Sequence, residues 1–308
     1  MSNISYAAVF PGQGSQKVGM LAEVASQWSV VNETFAQASE VLQYDLWQLI
    51  QDGPQESLNL TEKAQPALLA SSVAVWRVLQ ETCGFKPSLL AGHSLGEWSA
   101  LVCAGVVGFE DAIKLVQLRG RYMQEAVPVG VGTMAAIVGL SDEDVKKCCD
   151  ELAGEQVVSA VNFNSPGQVV IAGHTAAVEK AAGLCSEAGA KRAMMLPVSA
   201  PFHTSLMKPA ADRLAEHIAE ITFKTPSIPV IHNVNAASEN EPEKIKALII
   251  EQIYAPVLWV DCVSALSKKG ATDILECGPG RVLSGLVKRT DKTLNLHNTD
   301  SVSAIESI

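Results

Sequence analysis

No stretch of about 18 uninterrupted apolar residues occurs in the chain, which leaves no candidate for a membrane-spanning helix. The first residues, Met1-Ser2-Asn3-Ile4-Ser5-Tyr6, lack a basic segment running into a long apolar one, so no secretory leader is expected. Cysteine is sparse and unpatterned. The seven, at positions 83, 103, 148, 149, 185, 262 and 277, include no Cys-x-x-Cys pair and no zinc-ligand spacing. An odd number of scattered thiols points to free cysteines in a reducing cytoplasm and to no metal site. Positive charge is short: the net charge of −10 argues against general nucleic-acid binding, which requires a basic surface. Neither an internal repeat nor a low-complexity segment is present.

What is present is an ordinary globular composition, 48% hydrophobic and 18% charged over 308 residues. That length suits about two domains, or one with a sizeable insertion. The most informative stretch begins at Leu89-Leu90-Ala91. It runs into Gly92-His93-Ser94-Leu95-Gly96, and a helical pattern follows from Glu97, which is the strand, turn and helix of a nucleophile elbow. The glycines at 92 and 96 carry no Cβ, so strand and helix can approach closely. Ser94 is thereby pushed out at a helix N-terminus, where backbone N–H groups favour developing negative charge.

Strand and helix patterns alternate through the chain, which favours an α/β fold with a mostly parallel sheet. Tyr6 to Phe10 reads as a buried strand ending in Pro11-Gly12-Gln13-Gly14-Ser15-Gln16. This loop is not a dinucleotide fingerprint, because Lys17 stands where a third glycine belongs. It is either a plain tight turn or a loop that offers the Gln13 N–H to an oxyanion. Met20 to Leu49 reads as helix, and Gln65-Pro66 as the opening of another. After a hinge at Pro128-Val129-Gly130-Val131-Gly132, six compact segments follow in the order β-α-β-β-α-β, the ferredoxin-like signature. The expected organisation is therefore a large domain, 1–130 with 199–308, and an inserted subdomain, 131–198. From about Thr293 onward the chain is polar and patternless.

A serine hydroxyl needs a base to become a nucleophile. Of six histidines (93, 174, 203, 217, 232 and 297), His203 is best placed, on a loop where the chain re-enters the large domain. His93 adjoins the serine and is expected to point away from the reaction line. No acid stands out by position, which leaves a backbone carbonyl to orient the ring. Read alone, Arg119 is a helix residue on a solvated face, since Arg121 lies two residues away.

Seven motifs, in order, carry a resemblance. They are Phe10-Pro11-Gly12-Gln13-Gly14-Ser15-Gln16, Gln65-Pro66-Ala67, Gly92-His93-Ser94-Leu95-Gly96-Glu97, Arg119-Gly120, Asn162-Phe163-Asn164-Ser165-Pro166-Gly167, Pro201-Phe202-His203 and Gly278-Pro279-Gly280. From about Ile4 to Arg289 the chain resembles the bacterial malonyl-CoA:acyl-carrier-protein transacylases of type II fatty acid synthesis. The resemblance implies a large α/β-hydrolase-like domain with a ferredoxin-like insertion. It implies Ser94 as the acylated nucleophile, His203 as its base, and the backbone N–H groups of Gln13 and Leu95 as the oxyanion hole. Arg119 would clamp the malonyl carboxylate, and the Gln252 main-chain carbonyl would orient the histidine. The reaction would be ping-pong, with malonyl-CoA and acyl carrier protein as partners and no cofactor, in a cytoplasmic monomer that binds neither nucleic acid nor membrane.

Two residues depart from what is common in such chains. Phe202 stands where some relatives carry a small polar residue, which accords with malonyl over branched units, and Trp98 stands where tyrosine is common, a packing substitution. The family's carrier protein is itself acidic, so docking needs local basic ground, for which Lys191-Arg192, Lys268-Lys269 and Lys288-Arg289 are candidates. Two other readings stand beside the transacylase. A serine hydrolase or thioesterase shares the elbow and the histidine, and a non-catalytic interaction domain could keep the fold without the chemistry.

Overall fold

The computed structural model describes residues 5–152, 154, 156–198 and 200–308. Residues 1–4, part of the stretch considered for a leader, and Ser199, at the expected return to the large domain, lie outside them. Among the described residues nine strands form two sheets: β1 (Tyr6–Phe10), β2 (Leu89–Gly92), β3 (Gly132–Val138), β4 (Val158–Ser165), β5 (Gln168–His174), β6 (Arg192–Met195), β7 (Val230–Ile231), β8 (Asp273–Glu276) and β9 (Asn295–Asn298). The first sheet has the order β7-β2-β1-β8-β9 and every pairing in it is parallel. The second has the order β4-β5-β3-β6 and is antiparallel.

The strands β1, β2 and β7 read as unbroken apolar runs because helices cover both faces of their sheet. Side chains alternate across a strand, so neighbours feed different cores. Ala8, Phe10 and Leu90 face the larger core, whereas Ala7, Val9, Leu89 and Ala91 face a second one built with Trp259, Val263 and Leu286. The antiparallel sheet divides likewise. Ala135, Ile137, Val169 and Ile171 pack under its own helices, Asp142–Asp150 and Thr175–Glu187, while Met134, Val161, Val170 and Ala172 join the larger core. The two crossings between the sheets are pressed together, since a Cβ on Gly132 would meet the Pro201 ring.

Several local expectations change. The helical run from Met20 to Leu49 is three helices, Ala22–Gln27, Ser29–Leu42 and Leu46–Asp52, broken where Trp28 is extended and Gln43 is left-handed. Gln65-Pro66 does not open its helix, which starts at Thr61 when the Lys63 and Ala64 N–H groups donate to the Leu60 carbonyl. Within the antiparallel layer Ser141 caps its helix by accepting from the Asp144 N–H, and the Thr175 hydroxyl, at the start of the next helix, donates to the Gly130 carbonyl. The C-terminal stretch is ordered as β9 and a helix, Val302–Glu306. Parallel pairing to β8 organises it through main-chain bonds, which leave no apolar periodicity to read. Among the described residues no helix is long and apolar enough to cross a membrane.

Candidate active site

The C-terminal ends of β1 and β2 deliver two loops to one place. A Cβ on Gly96 would collide with the Phe10 carbonyl, one on Gly92 with the Gly96 carbonyl, and one on Gly12 would sit 2.5 Å from the His93 carbonyl oxygen. Three missing side chains thus let the loop carrying Gln13 lie directly on the elbow. Ser94 itself has φ 50° and ψ −108°, a conformation L-residues rarely adopt. Asn233 fixes it from both ends: its Oδ1 accepts from the Ser94 N–H at 2.8 Å, and its Nδ2 donates to the Gly92 carbonyl at 2.7 Å.

His203 reaches the serine from the loop that returns from the antiparallel sheet, with φ 64°. Its Nε2 lies 2.8 Å from the Ser94 Oγ and its Nδ1 lies 2.8 Å from the Gln252 carbonyl oxygen. A carbonyl only accepts, so Nδ1 carries the proton and the Nε2 lone pair faces the hydroxyl. Among the described residues no carboxylate is hydrogen-bonded to this ring. Burial first, and then the Arg119 charge, push the imidazole pKa down to about 3. The other five histidines are committed elsewhere: His93 to Asn164, His174 to the Val157 N–H, His217 to Tyr122, His232 to Glu97 and His297 to Asp273.

Arg119 is not on a solvated face, being 2% exposed. Gly120 lets its helix, Phe109–Glu125, close onto the Thr61 backbone, which swings the guanidinium inward. Nη1 donates to Gln65 Oε1 at 2.9 Å; Nη2 donates to Gln252 Oε1 at 2.9 Å and to Ser94 Oγ at 3.3 Å. Burial pulls its pKa down to about 10, with Glu97 acting in the opposite direction, so it is a cation at neutral pH. Its partners are two neutral amides and a hydroxyl, and the Nε has no internal partner among the described residues. This buried cation is therefore held in place without a salt bridge, leaving charge available for an anion.

Ser94, His203 and Arg119 open onto a cleft of about 580 Å³. Gln13 and Phe202 also line it, and Met134, Asn162, Val170 and Leu196 supply the wall from the antiparallel sheet. Among the described residues neither the Gln13 nor the Leu95 N–H has an internal acceptor. Trp98 is fully buried edge-on to Phe223, in keeping with a packing role. The sequence reading did not single out Gln65, Glu97 or Asn233 as working parts. Glu97 carried a signal: a carboxylate between Leu95 and Trp98, both buried, demands internal partners. Asn233 carried none.

Reaction of the Ser94 hydroxyl with an electrophile is expected to hold its rate as pH falls through 6.5, the ordinary histidine value, and to decline only toward about 3. The rate of covalent labelling of Ser94 over pH 4–8 checks this, and an acid limb centred near 6.5 would contradict it. Stability has the same sign. Below 6.5 the unfolded chain gains a proton that the folded histidine refuses, so the fold weakens by up to about 1.4 kcal/mol per pH unit on acidification.

Residues 8–305 match the acyl transferase domain family. The chain is 55% identical over 302 residues to a malonyl CoA-acyl carrier protein transacylase from Salmonella typhimurium, covering 98% of each chain. It superposes with a TM-score of 0.97 on an acyl carrier protein S-malonyltransferase from Vibrio cholerae, 59% identical, covering 98% of this chain and 99% of that one. A malonyl-transacylase in complex with its type II PKS acyl-carrier protein also gives 0.97, at 54% identity and 98% coverage of both.

Proposed function

This chain belongs to the acyl transferase domain family, and we propose that it moves malonyl groups from malonyl-CoA to the phosphopantetheine thiol of an acyl carrier protein. One observation carries the choice of acyl group: a buried guanidinium lies 3.3 Å from a hydroxyl whose base is already in place. Malonyl is a short diacid with a single methylene between thioester carbonyl and carboxylate. A carboxylate paired with Arg119 therefore puts that carbonyl at Ser94, and a longer diacid would overshoot.

The chemistry follows from the residues. Ser94 Oγ attacks the thioester carbon while its proton passes to His203 Nε2, and the Nδ1–H bond to the Gln252 carbonyl supports the imidazolium. The tetrahedral oxyanion lies between the N–H groups of Gln13 and Leu95. Collapse breaks the C–S bond, and CoA leaves with the proton from His203. The carrier-protein thiol then gives its proton to His203, attacks the malonyl-serine ester, and Ser94 leaves reprotonated. No cofactor enters either half.

We also divide the chain as an α/β-hydrolase-like domain, 1–130 with 199–308, and a ferredoxin-like subdomain, 131–198. The β-α-β-β-α-β order and the β4-β5-β3-β6 arrangement support the second name. A cytoplasmic monomer, independent of nucleic acid and membrane, suits this role. The decisive experiment is intact mass after mixing with malonyl-CoA: a malonyl adduct is expected on the protein and absent from Ser94→Ala. Release of free malonate at transfer-like rates without carrier protein would make it a hydrolase.

All three basic pairs, Lys191-Arg192, Lys268-Lys269 and Lys288-Arg289, are exposed. The first lies just before Leu196, Pro197 and Val198 on the cleft wall. Reversing the charge of each pair is expected to slow transfer to carrier protein at low salt for at least one of them, without slowing acylation by malonyl-CoA. Unchanged transfer in all three variants would remove basic-patch docking.

A further inference from the structure

Glu97 is a buried acid, 0% exposed, that the transfer chemistry does not use. Its Oε1 meets His232 Nδ1 at 2.7 Å, and its Oε2 accepts from the Asn233 N–H at 3.0 Å and from Gln252 Nε2 at 2.8 Å. The last contact matters most, because a glutamine amide has two ends of nearly equal shape and opposite polarity. The Gln252 nitrogen faces acceptors only: Glu97 Oε2, the Ser94 carbonyl at 2.9 Å and Asn233 Oδ1 at 3.4 Å. Its oxygen therefore has to face Arg119 Nη2, at 2.9 Å. Turned over, the amide would set its oxygen against a carboxylate and its N–H groups against a guanidinium, and both contacts would be lost in a dry interior.

We infer that Glu97 is a positioning residue for acyl selectivity: as an acceptor it fixes the Gln252 amide, and the fixed amide aims Arg119 at the substrate carboxylate. It touches neither substrate nor the reacting atoms. The inference rests on Arg119 reading that carboxylate, as proposed above. Acetyl has no carboxylate, so the ratio of malonyl to acetyl transfer isolates the effect from any general loss of fold or of nucleophile.

Glu97→Met removes the acceptor and is expected to lower the malonyl-to-acetyl ratio of kcat/KM about tenfold or more, the scale of coupling within one hydrogen-bonded network. Glu97→Gln, whose amide oxygen still accepts from Gln252 and Asn233, is expected to bring the ratio back to within about threefold of the parent. Parallel loss on both acyl groups at constant ratio overturns the inference, and so does a Glu97→Gln variant as impaired in ratio as Glu97→Met. If Glu97→Met does not fold, Gln252→Met decides, since it deletes the amide and keeps the main-chain carbonyl; an unchanged ratio there also overturns it. The parent protein provides the separating control. No malonyl adduct on the parent sinks the transacylase reading itself, whereas an adduct together with an unmoved ratio sinks only the role of Glu97.

Discussion

Arg119→Ala is expected to lose malonyl transfer by about 30- to 5,000-fold in kcat/KM, because deleting one member of a buried charge pair costs about 2–5 kcal/mol. Acetyl transfer should be spared or should rise, since removing the guanidinium opens room beside Ser94 and removes a charge that acetyl does not use. Arg119→Lys is not expected to rescue malonyl transfer. A lysine is a single point charge, and it cannot satisfy Gln65, Gln252 and a carboxylate from one planar fork. Steady-state rates on both acyl-CoA thioesters check the prediction; equal loss on the two would show that Arg119 holds the site together without reading the carboxylate.

His203→Ala should slow Ser94 acylation by about a hundred- to ten-thousand-fold, the usual contribution of a positioned general base. Arg119 and the elbow remain, so malonyl-CoA should still bind. The free imidazole is neutral at physiological pH because the cleft denies it water and Arg119 opposes a second positive charge. Single-turnover intact mass separates slow acylation from failed binding. Acylation at the parent rate would move the base to another group, and His93 is the only other histidine on the cleft wall.

The chemistry-bearing points were legible because each rests on a local rule. A glycine-flanked serine between strand and helix forces an elbow, and the alternation of strands and helices implies a parallel sheet. His203 was accessible by elimination and by its place at a chain crossing. Arg119 shows the limit: from the residue alone a solvated position was the better reading, and only the resemblance turned it inward. Its burial depends on Gly120 closing onto Thr61 and on two glutamines far apart in the chain, which no periodicity reveals. Asn233 and the Gln252 side chain are of the same kind, as polar residues that acquire meaning through contacts more than a hundred positions away. At the C-terminus β9 was missed for a different reason, because a partly exposed edge strand is specified by its neighbour's backbone.

The cleft takes its reactive floor from the parallel sheet and its opposite wall from β3, β4, β5 and the segment after β6. Met134 and Val170 line that wall and also pack into the larger core beneath the floor, so the two sheets shape the cleft together. A change of volume at either residue is therefore expected to alter the shape of the cleft and the stability of the fold at once.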